Sequence, residues 1–317
     1  MADFDDILAA ALIEITSIPG AIIYSLFIIT VFKYKEFRGH SYYLLAAGLG
    51  IPEVLTLLLF IFYSTPSILM KTPWGGEGVN YMIGGLDMAL FYSTLPITCA
   101  LALNRYYCVC RRAEYKTVFS TRNTVLMILG SYLFGLGYGC VPLSMCCPFG
   151  FFPQFYSFAW APGEFGSAVA SYIELVITGF VVTLAMCCNV KVFMNYRDLH
   201  RQMSTEVLGA GGAGDRLRAE REFKLFIQFF VIVSWLVIFD LLFIVIPLVS
   251  TSKWMFLVIS LAYVLQSTIN GWIYFLLNRS IRCHIRALFP TIIIQANEVK
   301  PSVQFQSTQS KTAQIKI

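Results

Sequence analysis

The sequence predicts an all-α membrane protein: a seven-transmembrane helix bundle followed by a short cytosolic amphipathic helix. Three observations carry that reading. The first is composition. Of 317 residues, 57% are hydrophobic and only 13% are charged, whereas a typical soluble domain is roughly 25% charged. The second is a set of seven apolar stretches, each close to the roughly 20 residues that a helix needs to cross a bilayer. The third is the placement of lysine and arginine. If the amino terminus is outside, 21 of the 23 fall on the opposite side, and lysine and arginine concentrate in cytosolic loops. A soluble enzyme, a nucleic-acid binder and a disordered chain are all poor fits, and the net charge of +5 is a matter of topology.

The stretches run over 7–32, 41–69, 80–104, 122–146, 168–192, 224–249 and 255–278. Runs such as Leu225–Pro247 are continuously apolar, unlike the alternating strands of a membrane barrel. The first stretch lacks a basic leader and is too long for a cleavable signal core. Residues 1–6 carry no lysine or arginine and are read as an extracellular amino terminus. Lys71 and Lys253 are the two cations left outside. The loop between the fifth and sixth stretches holds Gly209–Gly214, a flexible break, and the basic segment Arg216–Lys224. Residues 7–289 form the transmembrane domain, with a surface helix over 279–289. There Ile281, Ile285 and Leu288 share one face, and Arg279, Arg282 and Arg286 share the other, which suits a helix lying on the membrane. A basic stop-transfer flank is the plainer alternative. Residues 290–317 are a polar cytosolic tail.

Several chemistries are excluded. The three histidines, His40, His200 and His284, lie in separate cytosolic segments, so no metal site is expected. The seventh stretch has no lysine for a retinal Schiff base. No nucleophile elbow or phosphate loop occurs, and no cofactor is expected. Of the nine cysteines, Cys140, Cys146 and Cys147 are near the outside, but residues 70–86 offer no partner for a disulfide to the top of the third span. Cys283 is a candidate for reversible palmitoylation or an ordinary interfacial thiol.

The third span ends Leu103-Asn104-Arg105-Tyr106-Tyr107. The seventh ends Asn270-Gly271-Trp272-Ile273-Tyr274 and continues through Asn278 to Ile281-Arg282. Together with the span count and orientation, these endings resemble the rhodopsin-like G-protein-coupled receptors, whose third span ends D/E-R-Y and whose seventh carries N-P-x-x-Y. Asn104 replaces the acid, Gly271 replaces the proline, and the outer cysteine pair is missing. In the sixth span Trp235 lacks the usual proline two residues later, where Val237 stands. This combination is similar to the nematode serpentine chemoreceptor classes of srg, srv and srx type. The resemblance implies that Asn104, Arg105, Tyr106, Trp235, Asn270 and Tyr274 form a switch that opens to a heterotrimeric G protein. On the residues alone, Arg105 is an arginine able to snorkel at a helix end, and Tyr274 is an interfacial aromatic. Gly271 is a weak point that leaves the backbone donor in place.

No lysine or arginine lies deep in a span, yet Glu14, Glu53, Asp87, Glu174 and Asp240 do. Each costs roughly 2.5–3.5 kcal/mol at a helix centre, so each should face the bundle. The resemblance implies a sodium-binding acid near Glu53, whose alternative is a carboxyl hydrogen-bonded to a neighbour. Asp87 precedes Arg105 by 18 residues, five whole turns, so both leave one helix face roughly 27 Å apart. In amine receptors of the superfamily an aspartate at this spacing pairs with the ligand ammonium. Asp87, with Glu174, Asp240 and Glu14 at similar depth, is therefore a candidate ligand site for a small cationic or strongly hydrogen-bond-donating molecule. A purely structural carboxyl is the alternative.

The expected protein is a plasma-membrane chemosensory receptor of a sensory cell, surrounded by lipid. It binds a small molecule between the outer halves of its helices and signals to a G protein. A proton- or cation-conducting transporter or channel with an acid-lined core is the alternative, weakened by the lack of internal repeats.

Overall fold

The computed structural model describes residues 2–144, 147–161, 165–206, 227, 230–243, 245–246, 249 and 252–288. Cys146, the Gly209–Gly214 break, the basic segment Arg216–Lys224 and the tail 290–317 lie outside the described residues.

Thirty mostly apolar residues, Phe4–Lys33, form α1. Its start is fixed by the Asp3 backbone N–H, which donates to Asp6 Oδ2 at 2.8 Å. A one-turn helix α2 (Lys35–Arg38) leads to α3 (Ser41–Leu59). Five residues of π-helix, Phe60–Ser64, join α3 to α4 (Thr65–Met70), so that apolar helix runs unbroken from Ser41 to Met70. The widened turn ends two residues before Pro66, whose missing N–H and bulky ring disrupt a regular α-helical turn. Thr65 Oγ1 compensates by donating to the Phe60 carbonyl at 3.1 Å.

The central helix α5 (Gly76–Cys110) is buried over most of its apolar length. A short helix α6 (Arg112–Val118) follows, then α7 (Thr121–Gly139), capped by the Ser120 hydroxyl accepting from the Asn123 N–H at 3.3 Å. α7 lies against α5 because Gly135 presents no Cβ where Ser93 Oγ and the Ala89 carbonyl stand; small residues at a membrane helix contact let backbones approach. The fourth stretch was expected to run to residue 146. Its α-helix instead ends at Gly139, and Pro142 opens a 3-10 turn, Pro142–Ser144.

The bundle is not purely helical. Phe149–Phe152 (β1) and Ser157–Trp160 (β2) pair antiparallel, with Phe149 opposite Trp160 and Phe152 opposite Ser157. Both strands are largely buried. α8 (Phe165–Glu206) is the longest helix described and extends well past the predicted end at 192. α9 (Phe230–Phe243), α10 (Lys253–Leu277) and α11 (Arg279–Leu288) complete the described chain.

Among the described residues, five helical runs are long and apolar enough to cross a membrane: α1, Ser41–Met70, α5, Phe165–Asn195 and α10. Large side chains such as Ile15, Leu133, Tyr172, Val176 and Phe180 are mostly exposed on their outer faces. An apolar exterior of this extent suits a lipid environment. The interior divides into two apolar clusters. One, at the hairpin end, gathers Ile13, Phe60, Phe91, Phe151, Phe158, Phe239 and Leu257. The other, at the α11 end, gathers Tyr24, Phe27, Leu45, Leu101, Tyr274 and Ile281.

α11 turns its apolar face inward. Ile281 and Ile285 are buried, and Leu288 is half-buried. Arg282, assigned from the sequence to the polar face, bends back to donate to the Phe275 carbonyl at 3.1 Å and to the Leu276 carbonyl. It thereby covers orphan acceptors at the end of α10. Cys283 is exposed.

Candidate functional site

The hairpin end encloses a cavity. Asp87 of α5 and Glu174 of α8 line it, together with Phe60, Phe91, Phe149, Phe158, Phe239, Phe243 and Tyr263. Both acids are buried, at 2% and 7% exposure. The Tyr263 hydroxyl donates to Asp87 Oδ1 at 3.3 Å, and Trp160 Nε1 donates to Glu174 Oε2 at 3.0 Å. Tyr263 stacks on Phe239 at 5.4 Å and meets Phe60 and Phe91 edge-on at 5.7 and 5.9 Å. The site is thus a set of aromatic faces and edges around two carboxylates, a chemistry suited to a cation. Glu14 and Asp240, placed with these acids by the sequence, are half-buried. Neither is among the described residues lining the cavity: depth along a helix does not determine the direction a side chain takes.

β1 and β2 roof this cavity. Gly84 gives the hairpin its place on α5, because a Cβ there would collide with the Phe149 carbonyl. Asn80 Oδ1 accepts from the Phe151 N–H at 2.9 Å and from the Tyr63 hydroxyl at 3.0 Å. The turn residue Tyr156 has φ +55°. Its carbonyl accepts from Ser260 Oγ at 2.8 Å, and its hydroxyl donates to Asp6 Oδ1 at 2.5 Å. Burial and that bond to Asp6 push the Tyr156 hydroxyl pKa up. The two lysines assigned to the outer side meet the first turn of α1. Lys71 Nζ lies 2.7 Å from Asp3 and 3.3 Å from Asp6, and Lys253 Nζ lies 2.7 Å from Asp5. The hydrogen bond to Asp3 raises the Lys71 ammonium pKa. Sequence reasoning missed this roof. Its available signal was the β-prone aromatic run Phe149–Trp160, broken by Pro153.

Halfway down, Asn270 Nδ2 of α10 donates to Glu53 Oε1 of α3 at 2.6 Å. A second, polar cavity beside them is lined by Glu53, Thr56, Thr94, Thr98, Gln266 and Ser267, among others. Gln266 Oε1 and Asn270 Oδ1 are buried acceptors with no hydrogen bond seen among the described residues, and the Tyr24 hydroxyl faces the Glu53 carboxyl. Oxygen acceptors of this kind fit a small hard cation. The structure also accounts for Gly271. A Cβ there would lie 2.9 Å from Tyr24 Cβ, and Gly50 of α3 is tight against the same ring. α10 continues through this position. Glycine serves close approach of α1, where the sequence suggested a weak point in the helix.

At the α11 end, Asn104 Nδ2 donates to Ser41 Oγ at 3.0 Å and to the Tyr115 hydroxyl at 3.4 Å. Arg105 does not snorkel. It is 7% exposed, and its guanidinium carbon lies 3.5 Å from the centroid of the Tyr42 ring. Tyr274 is buried, stacked on Phe27 at 4.6 Å and edge-on to Tyr42 at 6.2 Å. Tyr106 is half-buried beside Tyr107. Trp235 is half-buried and donates to the Ala262 carbonyl at 3.4 Å, tying α9 to α10. Of the residues read as a switch, Arg105 and Tyr274 are brought together through Tyr42, and Asn270 is joined to Glu53.

A helical membrane protein with an acid-bearing aromatic cavity at one end and a buried arginine at the other has the architecture of a rhodopsin-like receptor. The crystal structure of squid rhodopsin is similar to it with a TM-score of 0.75, covering 92% of this chain and 87% of that one at 17% sequence identity. Residues 15–278 match the serpentine-type 7TM GPCR chemoreceptors of class Srx, and the chain belongs to that family. It is also similar to melatonin receptor type 1B-B of Danio rerio, with 24% identity over 287 residues, 87% of this chain and 79% of the relative. The protein is therefore a multi-pass membrane chemoreceptor that signals through G proteins, in a family of receptors and not of enzymes.

Proposed function

We propose that the chain crosses the plasma membrane of a sensory cell seven times, through α1, the run Ser41–Met70, α5, α7, α8, α9 and α10. The amino terminus and hairpin face outward, and the carboxyl terminus lies in the cytosol. The charge asymmetry of the loops supports that orientation. Under the hairpin the receptor binds a small cationic molecule, with Asp87 as the anchor and Glu174 as a second carboxylate. The observation that carries this reading is the pair of buried acids in one aromatic cavity. Glu14 and Asp240 contribute to the negative potential at that depth without touching the ligand.

Ligand binding then shifts α9 and α10 against α5. Trp235, Asn270 and Tyr274 transmit the shift, and Asn104, Arg105 and Tyr106 present it to a heterotrimeric G protein. Sodium at Glu53 is a further part of the reading, supported by the buried acceptors around it. Exposed Cys283 takes a lipid chain that holds α11 at the inner leaflet, where membrane lipids complete its surroundings.

A screen of amines, neutral odorants and acids, with calcium or cyclic-nucleotide readout, tests the reading beside an Arg105→Ala control. Activation by amines that Arg105→Ala abolishes is expected. Activation confined to acids overturns the ligand class, and normal signalling from Arg105→Ala overturns the switch.

A further inference from the structure

Arg105 is enclosed, and an aromatic ring encloses it. The 3.5 Å separation from the Tyr42 centroid puts the guanidinium in direct contact with the ring, well inside the roughly 6 Å range over which a ring quadrupole attracts a cation. Both residues are buried, Tyr42 at 7% exposure, so water does little to dilute the attraction. The neighbouring Asn104 is directed elsewhere, to Ser41 and Tyr115, and Ser41 Oγ and the Tyr115 hydroxyl are themselves 2.8 Å apart. As an amide, Asn104 also brings no net charge to the helix end. Tyr42 meets a second residue of the switch: its ring is edge-on to Tyr274, which α10 carries. One side chain of α3 therefore touches the arginine of α5 and the tyrosine of α10.

We infer that Tyr42 is a positioning residue for signalling: its aromatic face is the seat that keeps Arg105 inside the bundle of the unliganded receptor. Movement of Tyr274 against the Tyr42 ring unseats the guanidinium and turns it toward the cytosolic cavity. A buried arginine cannot meet a partner protein, so the seat must be left before coupling. The inference rests on the reading that Arg105 is the coupling residue. It adds the residue that withholds Arg105 and the physical force that does so. The Tyr42 hydroxyl is engaged by Tyr274, and the force assigned to the seat is that of the ring face on the guanidinium.

The test needs no ligand. Full-length receptor carrying a surface tag is expressed with a panel of G-protein α subunits, and nucleotide exchange without ligand is normalised to surface receptor. Tyr42→Phe keeps the ring face, loses only the hydroxyl's bond with Tyr274, and should stay well below Tyr42→Leu. Tyr42→Leu removes the π face and should raise basal exchange by roughly three- to tenfold, the scale on which losing one such contact shifts a two-state equilibrium. Placing phenylalanine, then mono-, di- and trifluorophenylalanine, at position 42 drains the quadrupole with little change of volume. Basal exchange should climb with each fluorine. Should Tyr42→Leu fail to reach the surface, the fluorinated series decides alone. A flat series, or Tyr42→Leu at the surface with unchanged or lower exchange, overturns the seat. Adding Arg105→Ala to Tyr42→Leu should return exchange to the receptor-free level. Exchange that stays high in that double variant instead removes Arg105 as the coupling residue, a failure distinct from a flat series.

Discussion

Asn270 and Glu53, 217 residues apart in the chain, are joined by a 2.6 Å hydrogen bond in the middle of the bundle. The bond ties α10 to α3 at the level where the two apolar clusters meet. Asn270→Ala should destabilise the solubilised receptor by about 1–3 kcal/mol, the cost of leaving a buried polar partner unsatisfied. Thermal unfolding in detergent measures it. Asn270→Asp, which sets a second carboxyl against Glu53, should be worse at neutral pH than at pH 5, where protonation relieves the repulsion. An unchanged melting temperature in Asn270→Ala would show that the bond contributes nothing.

Sodium should bind beside Glu53. Sodium chloride should raise the melting temperature above that in choline chloride at equal ionic strength. Glu53→Gln should remove the difference, since an amide offers the ion no negative charge. A salt effect identical for sodium and choline in the parent protein counts against the site.

At the proposed ligand cavity, Asp87→Asn keeps the shape and removes the charge. A cationic agonist should lose about 1.5–3 kcal/mol of affinity, the scale of a hydrogen bond to a charged group, or roughly ten- to a hundredfold in potency. Glu174→Gln should act in the same direction and leave neutral agonists unaffected. Undiminished potency of an amine on Asp87→Asn rules out the anchor.

The roof should control how long a ligand stays. Exposed ion pairs are worth about 0–1 kcal/mol each, so Lys71→Ala or Lys253→Ala alone should change stability little. Combining both with Tyr156→Phe removes the Asp3, Asp5 and Asp6 contacts together. Ligand dissociation, followed by washout, should then quicken by roughly tenfold or more. Washout kinetics equal to the parent would mean that packing and the Asn80 and Ser260 hydrogen bonds hold the hairpin without these contacts.

Orientation is open to a direct test. Asn278-Arg279-Ser280 is the only glycosylation sequon, and Asn278 donates to the Tyr43 hydroxyl at 2.7 Å. It should remain unglycosylated, and a tag at residue 317 should be reached only in permeabilised cells. Glycan on Asn278 would reverse the topology.

The five membrane-length helical runs among the described residues were legible because each obeys one local rule, about 20 apolar residues in a row. The ends of the third and seventh spans were legible because their residues stand beside one another in the chain. Contacts between distant residues were not. Nothing near Gly271 announces Tyr24, nothing near Arg105 announces Tyr42, and Asp5 gives no sign of Lys253. The hairpin was hidden for another reason. Besides Phe149, Phe151, Phe158 and Trp160, the intervening Gly150 and Ser157 are buried and Phe152 and Ala159 half-buried, so the strands lack the polar–apolar alternation that marks a half-exposed sheet. Glu14 and Asp240 were placed by depth alone, and the side-chain directions that decide cavity lining depend on how helices pack.

The division of the interior into two clusters has a consequence for how such a receptor can change over generations. Cavity walls and roof draw on Phe91, Phe149, Phe158 and Phe239, while Tyr24, Phe27, Tyr42 and Tyr274 belong to a separate set. Substitutions separated by more than about 7–10 Å with no shared partner are nearly additive. A lineage can therefore explore new ligands by exchanging aromatic wall residues, with each trial leaving the Tyr42 and Tyr274 cluster untouched. The narrow junction at Glu53 and Asn270 is where that freedom ends.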